Sequence, residues 1–290
     1  MPIWKAAVFG ALQGIAALLP VSSSGHIALA GHLLKETTAG SLSFFALLHL
    51  GTLVAIVWSF RVDVFRLCSS LVRVLRDLVL DLPVLFGNLS QPSKGKYRSG
   101  TGGNYRRWLL LMLTSLIPMP VIALLMRRFS ALGASNLLIT AMGFFVTALL
   151  LLVSSFTVGS KKDPRRTRFR DALMIGAFQG VSSLPGISRL GMTLSAAGLS
   201  GFTRSYMVRY GYLLAVPSIL GSLCLLLPSS GPGELAGIGA AACFVGVLTS
   251  SVVSLLVIRV AKRFLVRHSN RGFAIYSLLI GIVSIVVYFH

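Results

Sequence analysis

The sequence predicts an all-α integral membrane protein with two inverted-topology repeats, six transmembrane helices and two re-entrant helical hairpins. Three observations predict this fold class: the composition, the lengths of the apolar segments and the placement of the basic residues. Of 290 residues, 55% are hydrophobic and only 12% are charged, and the mean hydropathy is +0.83. Because a soluble domain carries about 25% charged residues, the bilayer is the expected solvent. We treat residues 1–290 as one membrane domain.

Six continuous apolar segments are long enough to span a bilayer, which takes about 20 helical residues. They cover residues 42–60, 108–126, 134–158, 210–227, 235–258 and 273–290. Residues 61–89 instead mix arginines and aspartates with apolar residues, a pattern typical of an amphipathic helix at a membrane surface. We therefore expect residues 61–107 to form a cytoplasmic amphipathic segment and loop.

Two further apolar segments, residues 5–34 and 172–202, are each interrupted near the middle by polar, turn-forming residues. The interruptions read PVSSSGH (20–26) and PGISRLG (185–191). Proline and glycine break helices, and irregular backbone at membrane depth survives only inside protein or beside a water-filled cavity. We interpret both segments as re-entrant hairpins of two half-helices, with a kinked spanning helix as the alternative.

The basic residues predict the orientation. Most of them fall in loops 90–107, 159–171 and 259–271, and the net charge is +20. The positive-inside rule places these loops in the cytoplasm and both termini outside. In a soluble protein this charge would suggest nucleic acid, but short loops facing anionic membrane lipids account for it without a nucleic-acid partner.

Each predicted hairpin is followed by three spans, an odd number, so the second half is inverted relative to the first. Repeat one then covers residues 1–158 and repeat two residues 172–290. The sequence GALQG at 10–14 matches GAFQG at 176–180. Both contain a Gly-x-x-x-Gly step, which permits close contact between membrane helices.

The two interruptions also carry the chemically capable side chains. Arg189 is a permanent cation with a planar fork suited to phosphate, and His26 can transfer a proton near neutral pH. Hydroxyls come from Ser22, Ser23, Ser24, Ser188 and Thr193. A helix starting after each break directs free N–H groups at an anion, which predicts a phosphate or diphosphate pocket at the bilayer middle.

Structural alternatives stay open at this stage. The serines can simply cap helices or bond across them, His26 can be a packing residue, and Arg189 can extend to an interface. His49, inside the 42–60 span, is undecided between a polar contact and a pocket wall.

Residues 10–26 resemble the first signature of the bacitracin-resistance type of undecaprenyl-diphosphate phosphatases, and residues 176–193 resemble the second. Residues 50–52, 213–217 and 273–276 extend the resemblance over nearly the whole chain. It implies interlocked inverted repeats in a bacterial-type plasma (inner) membrane. It also implies a polyprenyl diphosphate substrate from the lipid-carrier cycle of cell-wall synthesis, hydrolysed at its terminal phosphate with help from a divalent cation.

The resemblance implies roles for individual residues. Arg189 would bind the diphosphate, and Ser23 or His26 would act as nucleophile or general base. Expected substrate-binding residues are Gln13, Ser22, Ser24, Gly25, Gln179, Ser188, Gly191 and Thr193.

The chain departs from the family pattern where that pattern carries glutamates, at Gln13, Ala17 and Arg209, and Leu190 replaces a signature serine. Mg²⁺ and Ca²⁺ prefer carboxylate oxygens, so the cation is poorly supported and its ligands are unknown. Hydrolysis of undecaprenyl diphosphate is the first hypothesis. A polyprenyl-phosphate transporter (flippase) without hydrolysis and a lipid-binding relative are the alternatives. The oligomeric state is open, a homodimer included.

Overall fold

The computed structural model describes residues 1–36, 41–90, 104–126, 129–130, 136–157, 161–226, 235 and 237–290. In this part of the chain the secondary structure is helical apart from an isolated bridge between Lys162 and Phe202. The helices are α1 (Ile3–Ala16), α2 (Ser23–Leu33), α3 (Leu42–Ser59), α4 (Arg61–Ser90), α5 (Asn104–Leu116), α6 (Pro118–Leu125), α7 (Leu137–Ser155), α8 (Phe169–Val181), α9 (Arg189–Leu199), α10 (Arg204–Leu226), α11 (Ala240–Arg267) and α12 (Arg271–Phe289). The predicted all-α class is confirmed for these residues.

Five helical segments of the described chain are long and apolar enough to cross a membrane. They are Tyr105–Leu125, Leu137–Ser155, Arg204–Cys224, Ala240–Arg267 and Arg271–Phe289. A sixth is counted only if Ser43–Ser59 is taken together with Arg61–Asp81, to which it is bent by 91°. The protein is therefore a multi-pass membrane protein, and helix α4 turns sharply away from the direction of α3.

Several predicted boundaries were wrong. The predicted loop 259–271 is helical as far as Arg267, because no glycine or proline interrupts it and basic side chains near a helix C-terminus are favourable there. The predicted loop 159–171 gives way to α8 at Phe169, and loop 90–107 to α5 at Asn104, while residues 91–103 lie outside the described chain. The predicted span 108–126 is divided at Ile117, because Pro118 starts a new helix.

Both predicted interruptions are present as breaks between short helices. Helix α1 ends at Ala16 and α2 begins at Ser23, while α8 ends at Val181 and α9 begins at Arg189. These helices contain 11 to 14 residues. At 1.5 Å per residue they are about 17–21 Å long, short of the roughly 30 Å hydrocarbon core. Within each pair the two helices pack against each other.

The first helix of each short pair packs on helices from the other half of the sequence. Helix α1 lies along α11, where a Cβ on Gly10 would overlap the carbonyl oxygen of Gly246. Helix α8 lies along α5 and α6, where a Cβ on Gly176 would overlap the carbonyl oxygen of Ser115. The two Gly-x-x-x-Gly steps are thus the sites of closest helix contact, as expected for small residues in membrane helices.

Side-chain contacts also join the helix ends. Arg107 donates a 2.8 Å hydrogen bond to the Thr167 carbonyl before α8, and Lys262 of α11 donates to Ser59 Oγ at the end of α3. At the N-terminus, the Met1 amine donates to the Ile238 carbonyl at 3.1 Å. The start of α5 therefore meets the segment before α8, while α11 meets the end of α3.

Candidate functional site

The two breaks start their second helices in the same way. Ser22 caps α2, its Oγ accepting from the Gly25 N–H at 3.2 Å, and Ser188 caps α9, its Oγ accepting from the Gly191 N–H at 3.1 Å. Serine is a favoured N-cap because it satisfies an N–H that has no partner within the helix. Ser22 does so at a φ of 66°, a left-handed conformation that is uncommon for residues other than glycine.

The breaks lie against each other. A Cβ on Gly25 would lie 3.0 Å from the Gly186 Cα, and one on Gly191 would lie 3.4 Å from the Pro20 carbonyl oxygen. Gly186 itself has a φ of +81°, a conformation that glycine adopts without strain. The starts of α2 and α9 are therefore brought together although about 166 residues separate them in the sequence.

Neighbouring helices hold both breaks by hydrogen bonds. The Tyr212 hydroxyl of α10 donates to the Leu18 carbonyl at 2.6 Å. On the other side, the Thr147 hydroxyl of α7 donates to the Gly186 carbonyl and accepts from the Ser188 N–H, both at 3.0 Å. Buried backbone groups outside regular structure need such partners, so these two side chains maintain the shape of the breaks.

A cavity of about 40 Å³ lies between the breaks and helices α3 and α10. Its polar lining consists of Ser23, His49, Thr52, Ser188, Arg189 and Thr193, and its apolar lining of Ala16, Ala17, Leu19, Ile56, Leu190, Gly211, Tyr212, Ala215 and Ile219. At roughly 10–15 Å³ for each water, it has room for about three waters. One wall can accept polar groups and the other an apolar chain.

Among the described residues, Arg189 is the only charged one in this lining. It is the first residue of α9, and among the described residues its guanidinium has neither a hydrogen-bond acceptor nor a carboxylate partner. An unpaired cation removed from water is costly. The guanidinium and the unbonded N–H groups at the helix start both attract an anion.

Three of the predicted hydroxyl residues lie on the cavity wall. Ser23 is buried there, and its hydroxyl has no hydrogen bond within the described chain. Ser188 uses its Oγ as the helix cap, and the Thr193 hydroxyl donates to the Arg189 carbonyl at 3.0 Å. Ser23 therefore has the hydroxyl most available to a ligand.

The other predicted site residues lie off the cavity wall. Ser22 and Ser24 face each other with their Oγ atoms 3.2 Å apart, and Gly25 and Gly191 supply the close contacts between breaks. His26 is also outside the lining. These residues lie behind the cavity wall and shape the two breaks that carry Ser23 and Arg189.

Both ring nitrogens of His26 are engaged. Nδ1 lies 2.7 Å from the Ser22 carbonyl oxygen, which can only accept, so Nδ1 carries the proton. Nε2 therefore accepts from the Tyr276 hydroxyl at 2.8 Å, and the Phe144 ring lies edge-on at 5.4 Å. In the sequence, Tyr276 belonged to residues 273–276, which extend the family resemblance, but nothing there indicated a hydrogen bond to His26.

Gln13 and Gln179, at matching places in the two Gly-rich steps, are both buried away from the cavity lining. Gln179 Nε2 donates to Ser218 Oγ at 3.1 Å. Both side-chain amide atoms of Gln13 lack a partner among the described residues. Gln13 lies one helical turn before Ala16 and Ala17, on the face of α1 that reaches the cavity.

The donor set does not fit a protein-held Mg²⁺ or Ca²⁺. In the described part of the chain, no group of three His, Cys, Asp or Glu residues could hold a metal ion. None of the cavity-lining residues is a carboxylate. The unpartnered oxygen of Gln13 is a single neutral ligand, whereas these cations need several oxygens and normally carboxylates.

The sequence left His49 open between a polar contact and a pocket wall and gave Thr52 no role. Both line the cavity. With Ile56 they occupy one face of α3, at the spacings that place residues on the same side of a helix. The Thr52 hydroxyl is buried without a partner among the described residues. The signal in the sequence was weak, since it consists of one histidine and one threonine in an otherwise apolar span.

Arg209, which replaces a family glutamate, lies on a different face of α10. Its Nε donates to an Asp63 carboxylate oxygen at 2.7 Å, and a second guanidinium nitrogen contacts the same carboxylate. The Tyr105 hydroxyl also donates to Asp63, at 2.8 Å. Asp63, within the segment predicted to be an amphipathic surface helix, is buried and links α4, α5 and α10.

Comparisons with known proteins identify relatives along nearly the whole chain. The family model described as "Bacitracin resistance protein BacA" matches residues 6–283. Proteins named undecaprenyl-diphosphatase are similar over nearly their whole lengths. The one from Korarchaeum cryptofilum (strain OPF8) is 32% identical, over 97% of this chain and 98% of its own. The one from Mycolicibacterium vanbaalenii is 31% identical, over 97% and 94%, and the one from Alkaliphilus metalliredigens (strain QYMF) 28%, over 100% and 99%.

Proposed function

Because the chain belongs to the bacitracin resistance protein BacA family, we propose that it hydrolyses undecaprenyl diphosphate to the monophosphate and inorganic phosphate. The observation that carries the proposal is Arg189, an unpaired guanidinium lining a cavity between two helix starts. The names of the relatives favour hydrolysis over transport without hydrolysis.

The polar cavity residues suit the diphosphate of such a lipid, and the apolar ones suit its isoprenyl chain. Arg189 and the free N–H groups at the start of α9 would bind the phosphate oxygens, since bidentate guanidinium–phosphate contacts are strong and directional. The unbonded Ser23 hydroxyl would donate to the same phosphate or attack it. Ile56, Ala215 and Ile219 line the apolar part, which suits the first isoprenyl unit.

His26 takes a positioning role in this proposal. Its Nδ1 bond to the Ser22 carbonyl fixes the turn that presents Ser23. The resemblance implies that His26 acts directly as an acid or base. For that, Nε2 would have to give up its hydrogen bond with Tyr276 and contact the substrate instead. Ser22, Ser24 and Gly25 similarly act through the shape of the break.

We also propose that residues 1–158 and 172–290 form inverted repeats. The packing between the halves supports this, because the helix that carries each Gly-x-x-x-Gly step lies against helices of the other half. The serine caps at the two breaks and the paired glutamines add support. With the basic segments 90–107, 159–171 and 259–271 in the cytoplasm, both termini lie outside a bacterial-type plasma (inner) membrane.

Phosphate release from undecaprenyl diphosphate by the detergent-purified chain tests the function. Arg189→Ala is the site variant, and Arg263→Ala, an exposed arginine on α11, is the matched control. Each is assayed with Mg²⁺, with Ca²⁺ and with a chelator. We expect release by the wild type and the control and at least about a 100-fold loss in Arg189→Ala. No release by folded wild type under any condition would refute hydrolysis.

A further inference from the structure

His49 projects into the cavity from the middle of α3, and its surroundings give it a defined chemical state. Nδ1 lies 2.8 Å from the Phe45 carbonyl oxygen, one turn earlier in the same helix. A carbonyl oxygen can only accept, so Nδ1 carries the proton and Nε2 has a free lone pair. The Phe45 ring, edge-on at 4.3 Å, fixes the imidazole plane.

The free nitrogen is available to a ligand. Nε2 has no hydrogen-bond partner among the described residues, whereas both nitrogens of His26 are occupied. Because Nδ1 is bound to the helix backbone, Nε2 on the far side of the ring points away from it. His49 thus differs from a histidine whose polar atoms are satisfied by packing.

The other cavity-lining residues of the described chain offer no basic lone pair. Arg189 is permanently protonated, and serine and threonine hydroxyls are poor bases. Of the tyrosines, only Tyr212 reaches the cavity, and its hydroxyl donates to a backbone carbonyl. His49 is the remaining group with a basic lone pair.

The charge balance suits proton transfer after substrate binds. Two cations in one small cavity repel each other, so a neutral imidazole beside Arg189 is the stable empty arrangement. A bound diphosphate brings several negative charges. These offset the guanidinium and stabilise an imidazolium formed during the reaction.

We propose that His49 is the general base of the hydrolysis; this inference rests on the proposed function. A cavity water transfers a proton to His49 Nε2 as its oxygen bonds to the terminal phosphorus. The bond from that phosphorus to the bridging oxygen breaks, and its electron pair stays on the lipid monophosphate, beside Arg189. The imidazolium then returns the proton to the departing inorganic phosphate.

Steady-state hydrolysis of undecaprenyl diphosphate tests the proposal with three variants of the full chain. His49→Gln keeps a polar side chain but cannot carry the proton. His49→Ala leaves space for added imidazole. His32→Gln, an exposed histidine on α2, is the matched control. Elution from a sizing column and helical circular dichroism confirm that each variant is folded.

We expect His49→Gln to lose about 10²–10⁴-fold in kcat with KM within about threefold of wild type. Imidazole should restore part of the activity of His49→Ala, a recovery that a merely structural role would not give. A kcat for His49→Gln within threefold of wild type would overturn the role of His49 and leave hydrolysis standing. A loss explained wholly by weaker lipid binding would also overturn it. If the folded wild-type protein does not hydrolyse undecaprenyl diphosphate, the proposed function itself is refuted.

Discussion

Replacing Arg189 with methionine should separate binding from stability. Methionine keeps an unbranched, flexible stem that is shorter than arginine and carries no charge. The guanidinium has no acceptor among the described residues, so the empty protein loses no hydrogen bond or ion pair. The substitution also removes a charge whose burial without a partner destabilises the folded protein. The free energy of unfolding should therefore stay within about 1 kcal/mol of wild type or rise.

Binding should respond in the opposite direction. A bidentate contact to phosphate contributes two charged hydrogen bonds of about 1.5–3 kcal/mol each. At about 1.4 kcal/mol for each factor of ten, their loss weakens affinity by roughly 10²–10⁴-fold. Arg189→Lys keeps the charge without the fork, so it should fall between wild type and Arg189→Met.

Equilibrium binding of undecaprenyl diphosphate in detergent, together with thermal unfolding of the empty protein, measures both quantities. Arg263→Met is the control, since this arginine is exposed on α11. A variant that unfolds several degrees lower while binding the lipid normally would show that Arg189 is structural. That result would refute the assignment of the cavity as an anion site.

Three other predictions follow from the same contacts. The double variant Gln13→Glu, Ala17→Glu should hydrolyse the lipid faster when Mg²⁺ or Ca²⁺ is present and lose that gain when a chelator is added, because it supplies the carboxylate ligands that these cations need. If the folded double variant shows no metal-dependent gain, the site has diverged by more than the carboxylates. Gly176→Ala should lower stability by about 1–3 kcal/mol through overlap with a backbone oxygen, whereas Gly272→Ala, with nothing near its Cβ, should be neutral or slightly stabilising in thermal unfolding. Thr147→Val should cost about 1–3 kcal/mol, since it leaves a buried N–H and a carbonyl of the second break unpaired; unchanged melting and activity would contradict its supporting role.

Local chemistry explains why the breaks were predictable. Pro20 precedes three serines and a glycine, and Pro185 precedes a glycine and a serine. Both interrupt apolar segments too long for a single half-helix. A helix break is decided within a few residues, so periodicity and turn chemistry suffice. Arg189 was identifiable for a similar reason, because a cation inside an apolar segment requires an explanation.

Contacts distant in sequence explain what the sequence left open or missed. His49 reaches the cavity because α3 packs beside α10, and no local pattern indicates which face of an apolar helix meets a neighbour. The pair of Asp63 and Arg209 joins residues 146 positions apart. The sequence analysis also assigned residues 259–271 to a loop because they are basic, although α11 continues through Arg263. Lysine and arginine are good helix formers, so a basic segment need not be a loop.

The packing of α1 on α11 has a consequence for biogenesis. The Met1 amine and Gly10 find their partners near Ile238 and Gly246, which leave the ribosome only after more than two hundred further residues. At 5–20 residues per second, the N-terminal helices would wait about 10–45 s for the surface that covers them. Their exposed break must meanwhile be sheltered by the insertion machinery, because lipid offers its backbone no hydrogen-bond partners. Premature termination before α11 should therefore yield an N-terminal fragment that is inserted but never assembled, a natural target for membrane quality control.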